Sequence, residues 1–145
     1  MFENSGVIYL TNDDLTFLHD IEIEQFGGIY GIRDEGLLDS VSVAPYQNVF
    51  GKELYPTIFD KAAKYLYDFS RYQIFLDGNK RSGLCISTAF LSMNGYQLNM
   101  DFSQVYDLTM KIANGKIDSL EKISSILKEN SVSYLKEIDI EEIEK

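Results

Sequence analysis

Tyr72-Gln73-Ile74-Phe75-Leu76-Asp77-Gly78-Asn79-Lys80-Arg81-Ser82-Gly83 is the stretch on which the reading of this chain turns. On its N-terminal side, after Pro56, the residues Ile58, Phe59, Ala62, Ala63, Leu66 and Phe69 recur at the spacing of one helix face, leaving Lys61, Lys64 and Asp68 for solvent. On its C-terminal side a second helix is predicted from about Asn79 to Asn94, ended by Gly95. The centre of that helix (Leu84, Cys85, Ile86, Ala89, Phe90, Leu91, Met93) is apolar nearly all round, which predicts a helix buried in the middle of a bundle. No alternating pattern is long enough for a large sheet, so the expected fold is all-α.

The loop between these helices carries the chemistry. Running through Gly78 and Asn79 straight into a helix start, it presents unpaired backbone N–H groups and the positive end of a helix dipole, an arrangement suited to phosphates. Lys80 and Arg81 add two positive charges at a turn where the dipole alone disfavours cations, so something negative is expected to compensate. Asp77, just before the glycine, is placed to hold a Mg²⁺ that bridges phosphate oxygens, because that hard cation prefers carboxylate oxygen. A plainer reading has Asp77 capping the helix, Gly78 turning and the basic pair reaching solvent; the residues alone leave both open. A P-loop is excluded, since Gly78 and Gly83 have the right spacing but Leu84-Cys85 stand where Lys and Ser/Thr are required.

Further out, Val7-Ile8-Tyr9-Leu10 is a short β-prone run, and Thr11 with Asp14 makes a capping box for a helix over about 12–26. Leu15, Leu18, Ile21 and Phe26 form its approximate apolar stripe, and Gly27-Gly28 is its stop. His19 lies on this helix without nearby catalytic or metal-binding partners, and is read as a packed or hydrogen-bonded structural histidine. A short helix starts at Asp34-Glu35 and is closed by Pro45. The run from Tyr46 to Tyr55 mixes aromatics, Asn and Gly without helical period, as an extended loop or small hairpin does; whether it touches a partner stays open. Helices near 102–113 and 118–129, separated by Asn114-Gly115, complete one domain over about 1–130. Residues 131–145, rich in carboxylates, are expected to extend as a charged helix or to fray.

Composition narrows the function classes. The 145 residues hold 13 Lys+Arg against 23 Asp+Glu, a net charge of −10, which excludes the phosphate backbone of nucleic acid as the main partner. A single cysteine, Cys85, and a single histidine, His19, exclude internal disulfides and the usual Cys/His zinc sites. With no basic leader and no apolar run of about 18 residues, a soluble, cytoplasmic chain without membrane contact is expected.

Phe75-x-Asp77-Gly78-Asn79-Lys80-Arg81 resembles the core of the Fic/Doc motif, H-P-F-x-D-G-N-(G/K)-R. Gly27-Gly28, Gly31-Ile32-Arg33-Asp34-Glu35-Gly36-Leu37-Leu38, Pro45-Tyr46-Gln47-Asn48, Tyr55-Pro56 and Ala62-Ala63 are similar in order and spacing to its Doc, or death-on-curing, branch, and the resemblance spans about residues 7–128. It implies a Fic/Doc-type helical bundle with a short β-hairpin flap. It also implies a toxin of a toxin–antitoxin system that uses ATP and Mg²⁺ to phosphorylate elongation factor Tu and halt translation, with an antitoxin as partner.

Carried over by position, the resemblance makes Asp77 the Mg²⁺ ligand, Gly78 and Asn79 the phosphate cradle, and Arg81 a phosphate clamp. Lys80 contacts phosphate as a point charge, Phe75 anchors the loop, and Asn48, Val49 and Phe50 lie in the flap that docks the target by strand addition. Lys80, where typical Fic members have glycine, favours phosphate transfer over the alternative of AMP transfer. One departure matters most: Gln73 stands at the position of the family's histidine, the general base. A carboxamide cannot take that proton, so a factor of roughly 10²–10⁴ is missing and the chain is expected to be inactive or very weak. A substitution that makes a toxic chain harmless to its producer and a natural non-catalytic nucleotide- or protein-binding module both remain open.

Overall fold

The computed structural model describes residues 1–134. Its centre is the antiparallel crossing of the two helices read first, α3 (Ile58–Arg71) and α4 (Asn79–Met93). Thr57 starts α3 through a reciprocal box, its hydroxyl accepting from the Asp60 N–H while the Asp60 carboxylate accepts from the Thr57 N–H. Ala62, Ala63, Tyr65, Leu66 and Phe69 of α3 meet Ile86, Phe90 and Leu91 of α4, all inaccessible to solvent. Gly83 lets the two backbones approach: a Cβ there would stand 2.8 Å from Phe69 Cβ.

Around this pair, α1 (Asn12–Phe26), capped by Thr11 and Asp14 as expected, packs on α4, while α5 (Phe102–Ala113) and α6 (Leu120–Glu129) pack on α3. The short α2 (Glu35–Val43), capped by Asp34, leads into a 3₁₀ turn over Ala44–Tyr46 that contains Pro45. The described residues therefore contain six α-helices, a mostly helical fold as expected.

The strands are short antiparallel pairs. β1 (Phe2–Asn4) pairs with β2 (Val7–Tyr9), and β3 (Asn48–Val49) with β4 (Lys52–Glu53), which makes the 46–55 run a small hairpin. β5 (Tyr96–Leu98) pairs with β6 (Ser131–Ser133). That last pair corrects the reading of 131–145 as a tail from its first residue: Ser131–Ser133 find backbone partners two helices back in the chain, and residues 135–145 lie outside the described residues.

A second correction concerns α3, whose periodicity assigned Lys61, Lys64 and Asp68 to solvent. Lys61 is 1% exposed; its ammonium donates to Pro45 O at 2.8 Å and Glu53 Oε1 at 3.1 Å and lies 5.5 Å over the Tyr9 ring. Lys64 donates to Asp68 Oδ1 at 2.9 Å, and burial raises the Asp68 carboxyl above its ordinary value against the pull of that ammonium. The 3₁₀ turn and the neighbouring hairpin cover what would otherwise be the open face of α3, so its cations are retained by pairing instead of hydration.

Candidate functional site

The loop from Gln73 to Gly78 is held from three sides. Asn79, the first residue of α4, turns its side chain back onto it: Oδ1 accepts from the N–H of Ile74 at 3.2 Å and of Phe75 at 2.8 Å, and Nδ2 donates to Phe75 O at 2.9 Å. The segment after α1 pairs with it along the backbone, Arg33 N–H donating to Ile74 O at 2.9 Å and Leu76 N–H to Gly31 O at 3.0 Å. The Arg33 guanidinium reaches Gln73 O at 2.9 Å. From below, Phe75 is buried and stacks on the His19 ring at 3.8 Å, and His19 Nε2 donates to Asp77 O at 2.7 Å. His19 is thus structural, as read from the sequence, and what it supports is this loop.

Each Asp77 carboxylate oxygen accepts one backbone N–H, Oδ1 from Gly78 at 2.8 Å and Oδ2 from Ile29 at 3.3 Å. Gly28 makes room for it: its φ is +129°, and a Cβ there would meet Asp77 Oδ2 at 2.8 Å. Two N–H contacts leave lone pairs free, which fits a Mg²⁺ arriving with phosphate oxygens and water as its other ligands. Among the described residues no cluster of three or more His, Cys, Asp or Glu forms a self-sufficient metal site.

Gly78, at φ +74°, turns the chain into α4 without a side-chain cap. Among the described residues nothing accepts from the backbone N–H of Asn79, Lys80 or Arg81, so three donors point out of the helix start. Two clefts meet here. One, of about 310 Å³, is lined by Gln73, Asp77, Gly78, Asn79 and Lys80 together with Ser70 and Tyr72. The other, of about 380 Å³, is lined by Asp77 to Arg81 and Tyr106. The Arg81 guanidinium is steadied by Gly27 O at 3.1 Å and lies 5.7 Å from the Phe26 ring.

Gln73, Asp77, Gly78, Asn79 and Lys80 therefore share one cleft, and Arg81 joins four of them in the other. Asn48, Val49 and Phe50 line neither; they form the first strand and turn of the β3–β4 hairpin, with Phe50 fully exposed at φ +51°. A third cavity, of about 270 Å³, links the hairpin base (Gln47, Tyr55) to Tyr72, next to Gln73. Three contributors were not singled out as site residues from the sequence: Arg33, Ser70 and Tyr106. Only the Gly31–Leu38 run offered a signal, since its resemblance to the motif's relatives marked it without saying what it touches.

A model described as the Fic/DOC family matches residues 9–91, more than half of the chain and the whole of this loop. The chain belongs to the Fic/DOC family. It is 36% identical to Toxin Doc of Mycolicibacterium smegmatis, over 82% of this chain and 90% of that protein. It is 32% identical to Protein kinase doc of Escherichia phage P1, over 83% of this chain and 93% of that one. The matched range spans the junction of α3 and α4, where Gln73 to Arg81 lie. No described helix is long and apolar enough to cross a membrane.

Proposed function

We propose that this chain is a Doc-type toxin, built as an ATP-dependent protein phosphotransferase that acts on elongation factor Tu, is paired with an antitoxin, and is disabled by Gln73. The observation that carries the reading is the cleft in which Gln73, Asp77 and Lys80 surround the three free N–H groups of α4. Those N–H groups and the Lys80 ammonium bind the phosphates, and Arg81 completes the positive field from the second cleft. Asp77 would hold Mg²⁺, which supplies charge neutralisation between phosphate oxygens. The β3–β4 hairpin offers its edge to a target segment, whose hydroxyl then lies toward position 73. There the carboxamide of Gln73 can orient that hydroxyl by hydrogen bonding but cannot take its proton.

Gln73 also favours a second reading, a nucleotide- or protein-binding module without chemistry. The test compares this chain with Gln73→His, each given Mg²⁺, elongation factor Tu and ATP labelled on the γ- or the α-phosphate. Transfer of γ-label by the histidine variant, at least about 10²-fold above the parent, is expected. Transfer of α-label would replace phosphorylation with AMP transfer, and no label from either variant would leave the binding module.

A further inference from the structure

We propose that Ser70 is a ligand of the bound nucleotide, its hydroxyl donating to an oxygen of the phosphate nearest Gln73, an inference that rests on the phosphate site proposed above. Ser70 lies in the last turn of α3, outside the Asp77–Arg81 run, and what marks it is a partner that its side chain lacks. The other buried Ser and Thr side chains all donate inside the fold, at 2.7 to 3.3 Å: Ser42 to Asp39 O, Ser82 to Gly78 O, Ser87 to Ala62 O, Thr109 to Val105 O and Ser124 to Asp60 Oδ1. Ser70 is 7% exposed, yet its Oγ has no hydrogen-bond partner among the described residues. Within a helix a serine has a ready acceptor in the carbonyl four residues back, which Ser82 and Thr109 use. For Ser70 that carbonyl belongs to Leu66, and the hydroxyl does not take it. A buried hydroxyl left unpaired costs stability that a methyl group would not, so serine here calls for a partner from outside the chain.

The surroundings select that partner. Gly83 lets α4 close on Phe69, and the antiparallel course of the two helices then carries Ser70, the next residue of α3, toward the start of α4. There it lines the cleft of about 310 Å³ together with Gln73, Asn79 and Lys80. What the α4 start offers to this cleft are donors, the free N–H groups of Asn79 and Lys80 and the Lys80 ammonium. An oxyanion accepts from these and from the Ser70 hydroxyl at once, whereas a cation would face Lys80 and the positive end of the helix. Arg71 lines the cleft as well, but its guanidinium is drawn to Asp118 at 3.1 Å. Ser70 and Gln73 line this cleft and not the one that holds Arg81. The phosphate that Ser70 meets is therefore the one next to the incoming hydroxyl, which for phosphate transfer is the terminal phosphate of ATP.

The test is calorimetry of the parent chain and Ser70→Ala with Mg²⁺ and ATP, and with Mg²⁺ and ADP, beside a thermal melt of each. Ser70→Ala should weaken ATP about tenfold and leave ADP within about twofold. Its thermal midpoint should meanwhile rise by about 2 °C, because a methyl group replaces an unpaired hydroxyl and alanine is the better helix former. A hydroxyl with a merely structural role would move both readouts the other way, lowering the midpoint and sparing ATP, and that result would overturn the inference. Equal weakening of ATP and ADP would remove Ser70 from the terminal phosphate and overturn it too. ATP bound equally by both chains would overturn the role of Ser70 and leave the phosphate site standing. A parent chain that binds neither nucleotide would overturn the phosphate site and Ser70 with it.

Discussion

Asn79→Ala separates two roles that the motif position allows, a ligand to phosphate and a clamp on its own loop. The Asn79 side chain satisfies the N–H groups of Ile74 and Phe75 and the carbonyl of Phe75, and both of those residues are inaccessible to solvent. Truncation leaves two donors and one acceptor unpaired, at about 1–3 kcal/mol each when water cannot reach them. The site borders a cleft, and a water entering the vacated space recovers part of this, so the expected loss is about 3 kcal/mol. That is a large share of the roughly 5–15 kcal/mol typical of a domain. With a urea slope of about 2 kcal/mol per molar, the midpoint falls by about 1.5 M. Asn79→Asp keeps an acceptor for both N–H groups and sits well at a helix start, but turns a carboxylate oxygen toward Phe75 O. Its loss should be about 1 kcal/mol, while its negative charge weakens tripolyphosphate binding. The assays are urea unfolding followed by circular dichroism, and calorimetry with tripolyphosphate. A midpoint shift below about 0.3 M for Asn79→Ala would refute the clamp.

Gly83→Ala gains about 1 kcal/mol of helix propensity yet places its Cβ 2.8 Å from Phe69 Cβ at the α3–α4 crossing. Overpacking of about 1–3 kcal/mol should win, lowering the thermal midpoint, and a variant as stable as the parent would show that the crossing can open freely. Lys61→Met removes the ammonium that ties Pro45 O and Glu53 to α3. Its stability should fall by only about 1–2 kcal/mol, because methionine refills the volume. Amide exchange in the β3–β4 hairpin should nevertheless accelerate, and unchanged exchange there would mean that Lys61 does not hold the hairpin.

The surroundings of Asp77, Lys80 and Arg81 run against local preference. Lys80 and Arg81 stand at a helix end whose dipole repels them, and Gly28 stands at a positive φ with no space for a Cβ. Departures of this kind from local preference concentrate where a chain binds something, and here they converge on one loop.

The elements themselves were legible because their signals are local. Thr11 with Asp14 is a capping box complete within four residues, Pro56 precedes the start of α3, and α1, α3 and α4 begin where these and Gly78 place them. The loop's position was legible too, as a run of adjacent residues at a helix start. What stayed hidden depends on contacts between distant segments. His19 meets Asp77 across 58 positions, and Lys61 is buried under a turn that helical periodicity cannot see. Tyr96–Leu98 and Ser131–Ser133 are too short to announce a strand and exist because each completes the other's hydrogen bonds. Phe26, Phe102 and Tyr106 read singly as ordinary aromatics of two helices, and only the packing of both α1 and α5 on α4 brings them into one row. Periodicity reports the face that a helix turns toward one neighbour, whereas a bundle gives it several, and which residues share a cleft is decided by how those faces close.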